Sequence, residues 1–475
     1  MKKWMIRALS ALLIAAFLPL SVLADEYDLS QGSVTVSTSK GADGSTQQDV
    51  SHKGTTKPDS NPIITSKGQK TDNTITINAG AGTTANVTIK DANISASSGK
   101  AAIKTGGEGN VNLNVEGTNT VSSGSNYAGV EKANAGNLTI GSESGSGELT
   151  ANGGWHGAGI GGGHYRDAND ITITGGEVTA NGGDGAAGIG GGYYSYGKDI
   201  TISGGKVVAN GSGSAAGIGG GHYGNGSNIT ISGGEVTATG GDYGAGIGGG
   251  YYGNGSNITI SGGEVTATGG DCGAGIGGGY GRGGSNIAIS KDSQVEAVGG
   301  AVGGAGGSSD GCGAAIGNGG NNNRVNGSEI EPDTSGLYTT GKVERKHGNG
   351  TVLDTITGTV DPSAKPASSE EEPDKREPLY RVLNLDGSSL KHQAQKADGV
   401  LALTAKADGA ILTGTLRALG YLQNQGIEKI TFTDGTHSAE LVLAELIAKG
   451  EPEDVYVLTL GVENTLTLNG EAIDF

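Results

Sequence analysis

Aromatic residues and proline are scarce in this sequence, whereas glycine is abundant. Only 4% of the residues are aromatic and only 9 are proline, against 95 glycines in a chain of 475 residues. This composition is far from that of an ordinary globular protein. The glycines follow no three-residue period, which together with the low proline content excludes a collagen triple helix. Disorder would be expected, except that the glycines recur in register with apolar residues.

Positive charge and long apolar segments are also scarce. The net charge of -18 excludes nucleic acid as a partner, because no basic patch offsets the repulsion of phosphates. One strongly apolar run, residues 8–20, follows a basic start and precedes small residues at 22–24, as in a secretory signal peptide. We therefore predict that residues 1–24 are removed and that no membrane span remains. The protein is then expected to be secreted, either extracellular or associated with the cell surface.

A 29-residue repeat dominates the middle of the chain. Three motifs share this period: Ala-Gly-Ile-Gly-Gly-Gly, Ile-Thr-Ile and Glu-Val-Thr-Ala. The isoleucine of the first motif recurs at Ile160, Ile189, Ile218, Ile247 and Ile276. An Asn or Asp precedes each Ile-Thr-Ile-like strand, including looser copies upstream, at Asn86, Asn110, Asn137, Asp170, Asp199, Asn228, Asn257 and Asn286. We predict that these side chains form an asparagine ladder along stacked repeats.

Each repeat contains three short strand-like segments separated by glycine turns. In the copy that starts at Ile229, alternation places Ile, Val and Ala on one face and Thr and Glu on the other. Such strands bury their apolar face only by stacking, one coil on the next at about 4.8 Å. The pattern predicts a right-handed parallel β-helix of 29-residue rungs, followed by a linker and a small α+β domain. A calcium-binding β-roll is the rival fold, but its Gly-Gly-x-Gly-x-Asp signature is absent.

Three repeat units carry a resemblance to a known group of proteins: Gly-Ala-Gly-Ile-Gly-Gly-Gly, Asn-Ile-Thr-Ile-Ser-Gly-Gly and Glu-Val-Thr-Ala-Thr-Gly-Gly. They resemble glycine-rich repeat extracellular proteins of Gram-positive bacteria, which are described as carbohydrate-binding or adhesin-like. The resemblance implies a pectate-lyase-like right-handed parallel β-helix over residues 63–320. It transfers no individual binding residue to this chain.

Changes in composition predict the domain organisation. The segments are a signal peptide (1–24), an N-terminal extension or cap (25–62), the β-helix repeat domain (63–320), an extended segment with a Pro/Ser/Glu linker (321–378) and a small α+β domain (379–475). Within the last segment, residue patterns predict helices over 411–425 and 438–449, and strands over 380–385, 429–433, 455–460 and 465–468.

Recurring positions become stripes when coils stack, and the most distinctive stripe is aromatic. Two adjacent columns follow each repeat isoleucine, one of His164, Tyr193, His222, Tyr251 and Tyr280, the other of Tyr165, Tyr194, Tyr223 and Tyr252. Flat exposed rings suit the apolar faces of sugars, so these residues are candidate carbohydrate contacts. The alternative is that the rings stack on one another and protect a loop.

Two further columns are acidic. One contains Glu148, Glu177, Lys206, Glu235 and Glu264, and the other contains Asp184, Asp242 and Asp271. Carboxylates about 4.8 Å apart repel each other unless a cation bridges them. Glu235, Glu264, Asp242 and Asp271 are therefore candidate ligands of Ca²⁺, the one cofactor that the sequence suggests. A solvated charged face is the alternative.

The two cysteines occupy one column of the repeat. Cys272 and Cys312 each lie four residues before a repeat isoleucine, which places them in neighbouring coils within disulfide range. Their separation of 40 rather than 29 residues predicts an inserted loop that a disulfide would close. An exported protein permits such a bond.

These patterns predict a non-catalytic protein that binds a polysaccharide or glycan, of a cell wall or a host surface, through a repetitive β-helix face. One alternative is a structural or adhesin spacer that displays the C-terminal module. A polysaccharide lyase or hydrolase is another, because this fold hosts such enzymes. The carboxylates, however, repeat along the rod without a singular catalytic pair. The paired threonines at 237/239 and 266/268 are also typical of ice binding, but two rungs make too small an array.

Overall fold

The computed structural model describes residues 25–301, 312–320, 326–360 and, apart from short gaps, 380–473. The predicted signal peptide and the Pro/Ser/Glu linker at residues 361–378 lie outside these residues. The chain divides after residue 364 into two compact units, and each is considered by itself. Among the described residues, none of the helices has the length and apolar character of a membrane-spanning segment.

The first unit is a parallel β-helix in which successive coils visit three sheets in the same order. Sheet 1 contains Glu26–Asp28, Ile63–Thr65, Thr84–Lys90, Asn110–Glu116, Leu138–Gly141, Ile171–Ile173, Gly197–Ile202, Gly226–Ile231, Gly255–Ile260 and Gly284–Ile289. Sheet 2 contains Lys70–Thr71, Asn93–Ser95, Thr118–Ser122, Glu148–Asn152, Glu177–Asn181, Lys206–Asn210, Glu235–Thr239, Glu264–Thr268, Gln294–Val298, Lys342–Lys346 and Val352–Thr357. Sheet 3 contains Val34–Lys40, Thr46–His52, Thr55–Pro58, Ile75–Ala79, Ile103–Gly107, Val130–Glu131, Ile160–Gly161, Ile189–Gly190, Ile218–Gly219, Ile247–Gly248, Ile276–Gly277 and Ile316–Gly317.

Residues 29 apart in the sequence are vertical neighbours in the stack. Ile218 pairs with Ile247 in sheet 3, and Ile229 pairs with Ile258 in sheet 1. All four side chains are completely buried. Burial of such a side chain stabilises the fold by roughly 1.5–3 kcal/mol, so the column of inward residues is the core of the unit. The predicted parallel β-helix of 29-residue rungs is confirmed.

The parallel pairing extends beyond the predicted bounds of 63 and 320 on both sides. At the N-terminal end Glu26–Asp28 pairs with Ile63–Thr65, and an antiparallel hairpin covers the edge of Val34–Lys40. At the other end Lys342–Lys346 pairs with Gln294–Val298. Residues 25–62 therefore contain the first coil together with a cap, because the apolar side chains of that coil complete the end of the core.

The asparagine ladder forms in the regular coils. Side-chain amides connect Asp199, Asn228, Asn257 and Asn286 through hydrogen bonds of 2.8, 3.0 and 2.9 Å. Asn86 was assigned to the wrong register, because it pairs with Asn112 two residues beyond the predicted column. The pairing of inward side chains such as Val87 decides the register in this irregular part of the stack.

The second unit contains two sheets and two helices. The five-stranded sheet consists of Arg381–Leu383, Ala410–Thr415, Val455–Leu460, Thr465–Leu468 and Glu471–Ala472, and the four-stranded sheet consists of His392–Ala397, Val400–Ala405, Lys429–Thr433 and Ser438–Val442. The helices are Leu416–Asn424 and Leu443–Ile447, and they pack against each other.

Both predicted helices of this unit begin later than their patterns indicated. The segment predicted as a helix from 411 is a strand up to Thr415, and the one predicted from 438 is a strand up to Val442. Ala410–Thr415 lies between two antiparallel partners, Arg381–Leu383 and Val455–Leu460. These distant partners satisfy its backbone groups, and tertiary pairing therefore overrides the local helical spacing.

Candidate functional site

The aromatic side chains lie in the loop that follows each Ile-Gly strand of sheet 3 and precedes the next strand of sheet 1. Hydrogen bonds between coils fix this loop: the backbone N–H of Tyr251 donates to the carbonyl of Ser214, and that of Tyr223 donates to the carbonyl of Tyr251. Similar bonds recur along the stack, so the two predicted aromatic columns run side by side. We call His164, Tyr193, His222, Tyr251 and Tyr280 the inner column, and Tyr165, Tyr194, Tyr223 and Tyr252 the outer row.

The inner column is a packed stack. The ring centroids of its successive members are 5.1–5.6 Å apart. Tyr280, at the C-terminal end, is only 5% exposed and packs against Cys272 and Cys312. The rings of the inner column are therefore packed on one another, which is the arrangement given above as the alternative to carbohydrate contacts. Burial removes Tyr280 from the candidate carbohydrate contacts.

The outer row faces solvent. Its successive ring centroids are 5.3–5.9 Å apart, with interplanar angles of 9–26°. The exposed fractions of Tyr165, Tyr194, Tyr223 and Tyr252 are 67%, 45%, 44% and 38%. Since the rings are nearly parallel and follow one another, each partly covers the face of the next. The row therefore presents mainly ring edges and phenol hydroxyl groups to a ligand.

The outer row adopts an unfavourable backbone conformation. Its four tyrosines have φ angles of 53–60°, in the left-handed region. This conformation costs a residue with a side chain about 1–2 kcal/mol. Glycine adopts it freely, and Gly281, with φ of 67°, occupies the equivalent position in the next coil. Tyrosine rather than glycine therefore occupies four successive positions where the backbone is strained.

Contacts between the two columns raise the pKa of two tyrosines of the inner column. The hydrogen bond with the Tyr194 side chain, together with burial, raises the pKa of Tyr193 to about 12. Burial, together with a hydrogen bond with the Tyr252 side chain, raises the pKa of Tyr251 to about 12. These hydroxyl groups therefore stay neutral at physiological pH, and they can both donate and accept hydrogen bonds.

The two ends of the aromatic surface differ. At the C-terminal end, the guanidinium of Arg282 lies 5.8 Å from the centroid of the Tyr252 ring, and its Nε donates to the Tyr252 carbonyl. At the N-terminal end, Trp155 is 63% exposed and contacts His156. Trp155 was not among the residues predicted from the sequence. The repeat spacing identifies its position, because Trp155 stands 29 residues before Asp184 and so in the column of Asp184, Asp242 and Asp271.

Histidine in the inner column predicts a pH-dependent stability. Burial lowers the pKa of His222 below the ordinary value of 6.5, and Asp184 opposes this shift. The unfolded chain therefore takes up the proton more readily than the folded chain. The stability that neutral His222 contributes is fully present above about pH 6.5 and declines as the pH falls below this value. We expect a lower melting temperature at about pH 5 than at about pH 7.5.

The matched variant is His222→Tyr, since tyrosine occupies this column in both neighbouring coils at Tyr193 and Tyr251. It is expected to reduce the difference between the two melting temperatures. An unchanged difference would show that other groups cause the pH dependence.

The acidic columns lie on the surface of the stack. Glu235 and Glu264 are paired neighbours in sheet 2, and Asp242 and Asp271 lie in the turns that follow their strands. Burial, together with the charge of Asp242, raises the pKa of Asp271. Within the described ranges, no three His, Cys, Asp or Glu side chains are grouped as metal ligands. Binding of Ca²⁺ by Glu235, Glu264, Asp242 and Asp271 stays a prediction.

The two cysteines meet as their spacing predicts. Cys272 and Cys312 lie in neighbouring coils, with Cα atoms 4.5 Å apart and sulfur atoms joined as a disulfide. The bond closes a segment that includes residues 302–311, which lie outside the described residues. It borders the buried end of the inner column.

Five segments of the chain match a family model described as Beta helix repeat: residues 144–164, 171–193, 200–222, 229–251 and 258–280. This chain is a parallel β-helix protein. Each matched segment ends at a member of the inner column, so the outer row falls between or beyond the matches. No curated protein and no solved structure matched the chain. The family model accounts for the coil of this β-helix protein and leaves its exposed tyrosines unexplained.

Proposed function

We propose that this β-helix protein is a non-catalytic, exported protein that binds a polysaccharide or glycan along its outer row. The observation that carries the proposal is the row itself. Four solvent-exposed tyrosines follow one another at 5.3–5.9 Å while their backbone bears the cost of a left-handed conformation.

The geometry of the row favours a particular mode of binding. A ligand that lies along the axis meets an equivalent phenol edge and hydroxyl group at each coil. An extended glycan advances by a similar distance with each sugar unit, so its repeat matches that of the protein. Single contacts of this kind are weak, and repetition along one rigid surface multiplies them.

The charge of the protein narrows the class of glycan. A net charge of -18 disfavours a polyanionic chain. The phenol hydroxyl groups of the outer row, which can both donate and accept hydrogen bonds, are suited to hydroxyl-rich, uncharged sugars. A neutral polysaccharide or the neutral part of a host glycan is therefore the proposed ligand.

The test replaces the row without straining the backbone. In the triple variant Tyr194→Gly, Tyr223→Gly and Tyr252→Gly, glycine accepts the left-handed conformation, so the fold is expected to persist. Retention is measured on cellulose, chitin, peptidoglycan and immobilised mucin, with Ca²⁺ and with a chelator. We expect at least about a tenfold loss of affinity for the polymer that retains the wild type, equivalent to about 1.4 kcal/mol.

Tyr196→Ala is the matched control, because Tyr196 is 48% exposed but lies outside the outer row. It is expected to bind normally. Retention that survives the triple variant would remove the row from the proposal. It would favour the alternative function, a β-helix spacer that displays the C-terminal unit.

A further inference from the structure

Trp155 is held differently from the other rings of the aromatic surface. Its ring contact is with His156, at 5.7 Å between centroids and an interplanar angle of 70°. The indole Nε1–H donates a hydrogen bond of 2.6 Å to His156 Nε2. Because this N–H lies in the plane of the indole, His156 meets the edge of the ring. Both faces of Trp155 therefore remain free of the other described rings.

The surroundings of Trp155 combine this free indole with polar groups. The preceding coil has Ser125 and Asn126 in place of Trp155 and His156. Both residues are exposed, and the backbone N–H of Asn126 donates to the carbonyl of Trp155 at 2.6 Å. An exposed apolar ring face, with a serine and an asparagine at the equivalent positions of the preceding coil, is suited to a sugar, whose C–H face stacks on the ring while its hydroxyl groups form hydrogen bonds.

We propose that Trp155 is a stacking platform for one neutral sugar ring at the end of the aromatic surface, and that uncharged His156 holds this platform in position. The proposal rests on the proposed function, since the sugar belongs to the glycan that lies along the outer row. It adds a subsite that differs in kind, because the outer row offers ring edges and Trp155 offers a ring face.

His156 is packed so that its uncharged form is favoured. Its ring stacks on Tyr193 at 4.3 Å and 19°, and lies 4.7 Å from the ring of His164. Burial, followed by the proximity of His164, lowers the pKa of His156, and Asp184 acts in the opposite sense. When His156 takes up a proton, Nε2 carries a hydrogen and cannot accept the indole N–H. The platform then loses the bond that orients it.

The sequence allows Trp155 to be observed alone. The chain has two tryptophans, Trp4 and Trp155, so the full-length Trp4→Phe variant has a single fluorescent indole. This variant is titrated with hexasaccharides of β-1,4-linked glucose and of β-1,4-linked N-acetylglucosamine, and with soluble mucin glycans. We expect a saturable change of emission with the sugar whose polymer retains the protein. Trp155→Ala is expected to weaken retention by about tenfold.

The pH dependence separates a positioning role from simple stacking. Affinity is expected to fall several-fold between about pH 7.5 and about pH 5, as His156 becomes protonated. His156→Asn is the matched variant, because Asn126 occupies the same column with φ of 72°, against 70° for His156. This variant is expected to bind with less dependence on pH. Persistence of the full pH effect in His156→Asn would overturn the role of His156.

The outcomes distinguish this proposal from the function on which it rests. One outcome contradicts the platform alone: the wild type is retained and the outer-row variant is not, but Trp155 emission does not change with sugar and Trp155→Ala binds normally. The proposed function then stands without the platform. If no glycan retains the wild type, both proposals fail. A saturable emission change together with weakened binding of Trp155→Ala supports the platform.

Discussion

Replacing Gly248 with alanine is expected to destabilise the β-helix by about 3 kcal/mol or more. Gly248 lies in the Ile-Gly strand of sheet 3 with φ of 135°, a conformation that residues with a side chain rarely adopt. A Cβ atom there would overlap the backbone carbonyl oxygen of Gly277 in the next coil. That oxygen belongs to the stacked backbone and cannot move aside without breaking the pairing of the two coils.

The effect is expected to be local at first and then to spread. Each coil contacts chiefly its immediate neighbours, so a coil that cannot stack separates the repeats on either side of it. Urea denaturation is expected to show a lower midpoint or a second transition. Amide hydrogen exchange should be fastest around the coil of Gly248.

Gly175→Ala is the matched control for this experiment. Gly175 lies in the turn between sheets 1 and 2, and the nearest atom to a Cβ there is 3.8 Å away. This substitution is expected to change stability by less than about 0.5 kcal/mol. Equal stability of the two variants would contradict the close stacking of the Ile-Gly strands.

The second large effect is expected at Arg345, which closes the C-terminal end of the stack. Arg345 pairs with Ala297 in sheet 2, and so continues a column in which the preceding coils have inward alanines. Its side chain is only 5% exposed. It forms hydrogen bonds with both carboxylate oxygens of Asp354 and an ion pair of 2.9 Å with Glu331.

Removing this cation leaves the carboxylates without a partner. The hydrogen bond that Arg345 donates to Asp354, opposed in part by burial, raises the pKa of Arg345, and the same hydrogen bond lowers the pKa of Asp354. We expect Arg345→Ala to cost about 2–3 kcal/mol in a denaturation experiment. This is less than the roughly 3–5 kcal/mol for breaking a fully buried pair, because Asp354 is 42% exposed.

Two further variants define the cause. Arg345→Lys keeps the charge but cannot bind a carboxylate with two parallel hydrogen bonds, so it should recover only part of the loss. Lys342→Ala removes a cation from the same strand whose side chain is 46% exposed. Its cost is expected to be about 0–1 kcal/mol. A loss at Lys342 as large as that at Arg345 would contradict the importance of burial.

The regular coils were predictable because one pattern repeats at one spacing. Every marker of period 29 specifies the same vertical neighbour, and Ile218 indeed pairs with Ile247. The first coils vary in length, and there the register of Asn86 was wrong by two residues. In the second unit, Ile411 to Thr415 had helical spacing yet forms a strand, since its partners are distant in the sequence.

The candidate site was predictable as a set of columns but not as a surface. Alignment of repeats identified the inner column and the outer row. It could not show that Tyr280 is buried against the disulfide while Tyr165 is 67% exposed. Trp155 was missed although it aligns with Asp184, because a single aromatic residue stands there among acidic ones, and its hydrogen bond to His156 carries no periodic signal.

The sequence by itself determined the coil of 29 residues that passes through three sheets, the inward-facing core and the pairing of the cysteines. These follow from local alternation and from a spacing that every repeat reinforces. Tertiary structure alone decided where the stack begins and ends, which rings are covered, and how Arg345 and Trp155 are held. Those features depend on contacts made once, between segments whose separation in the chain carries no repeating signal.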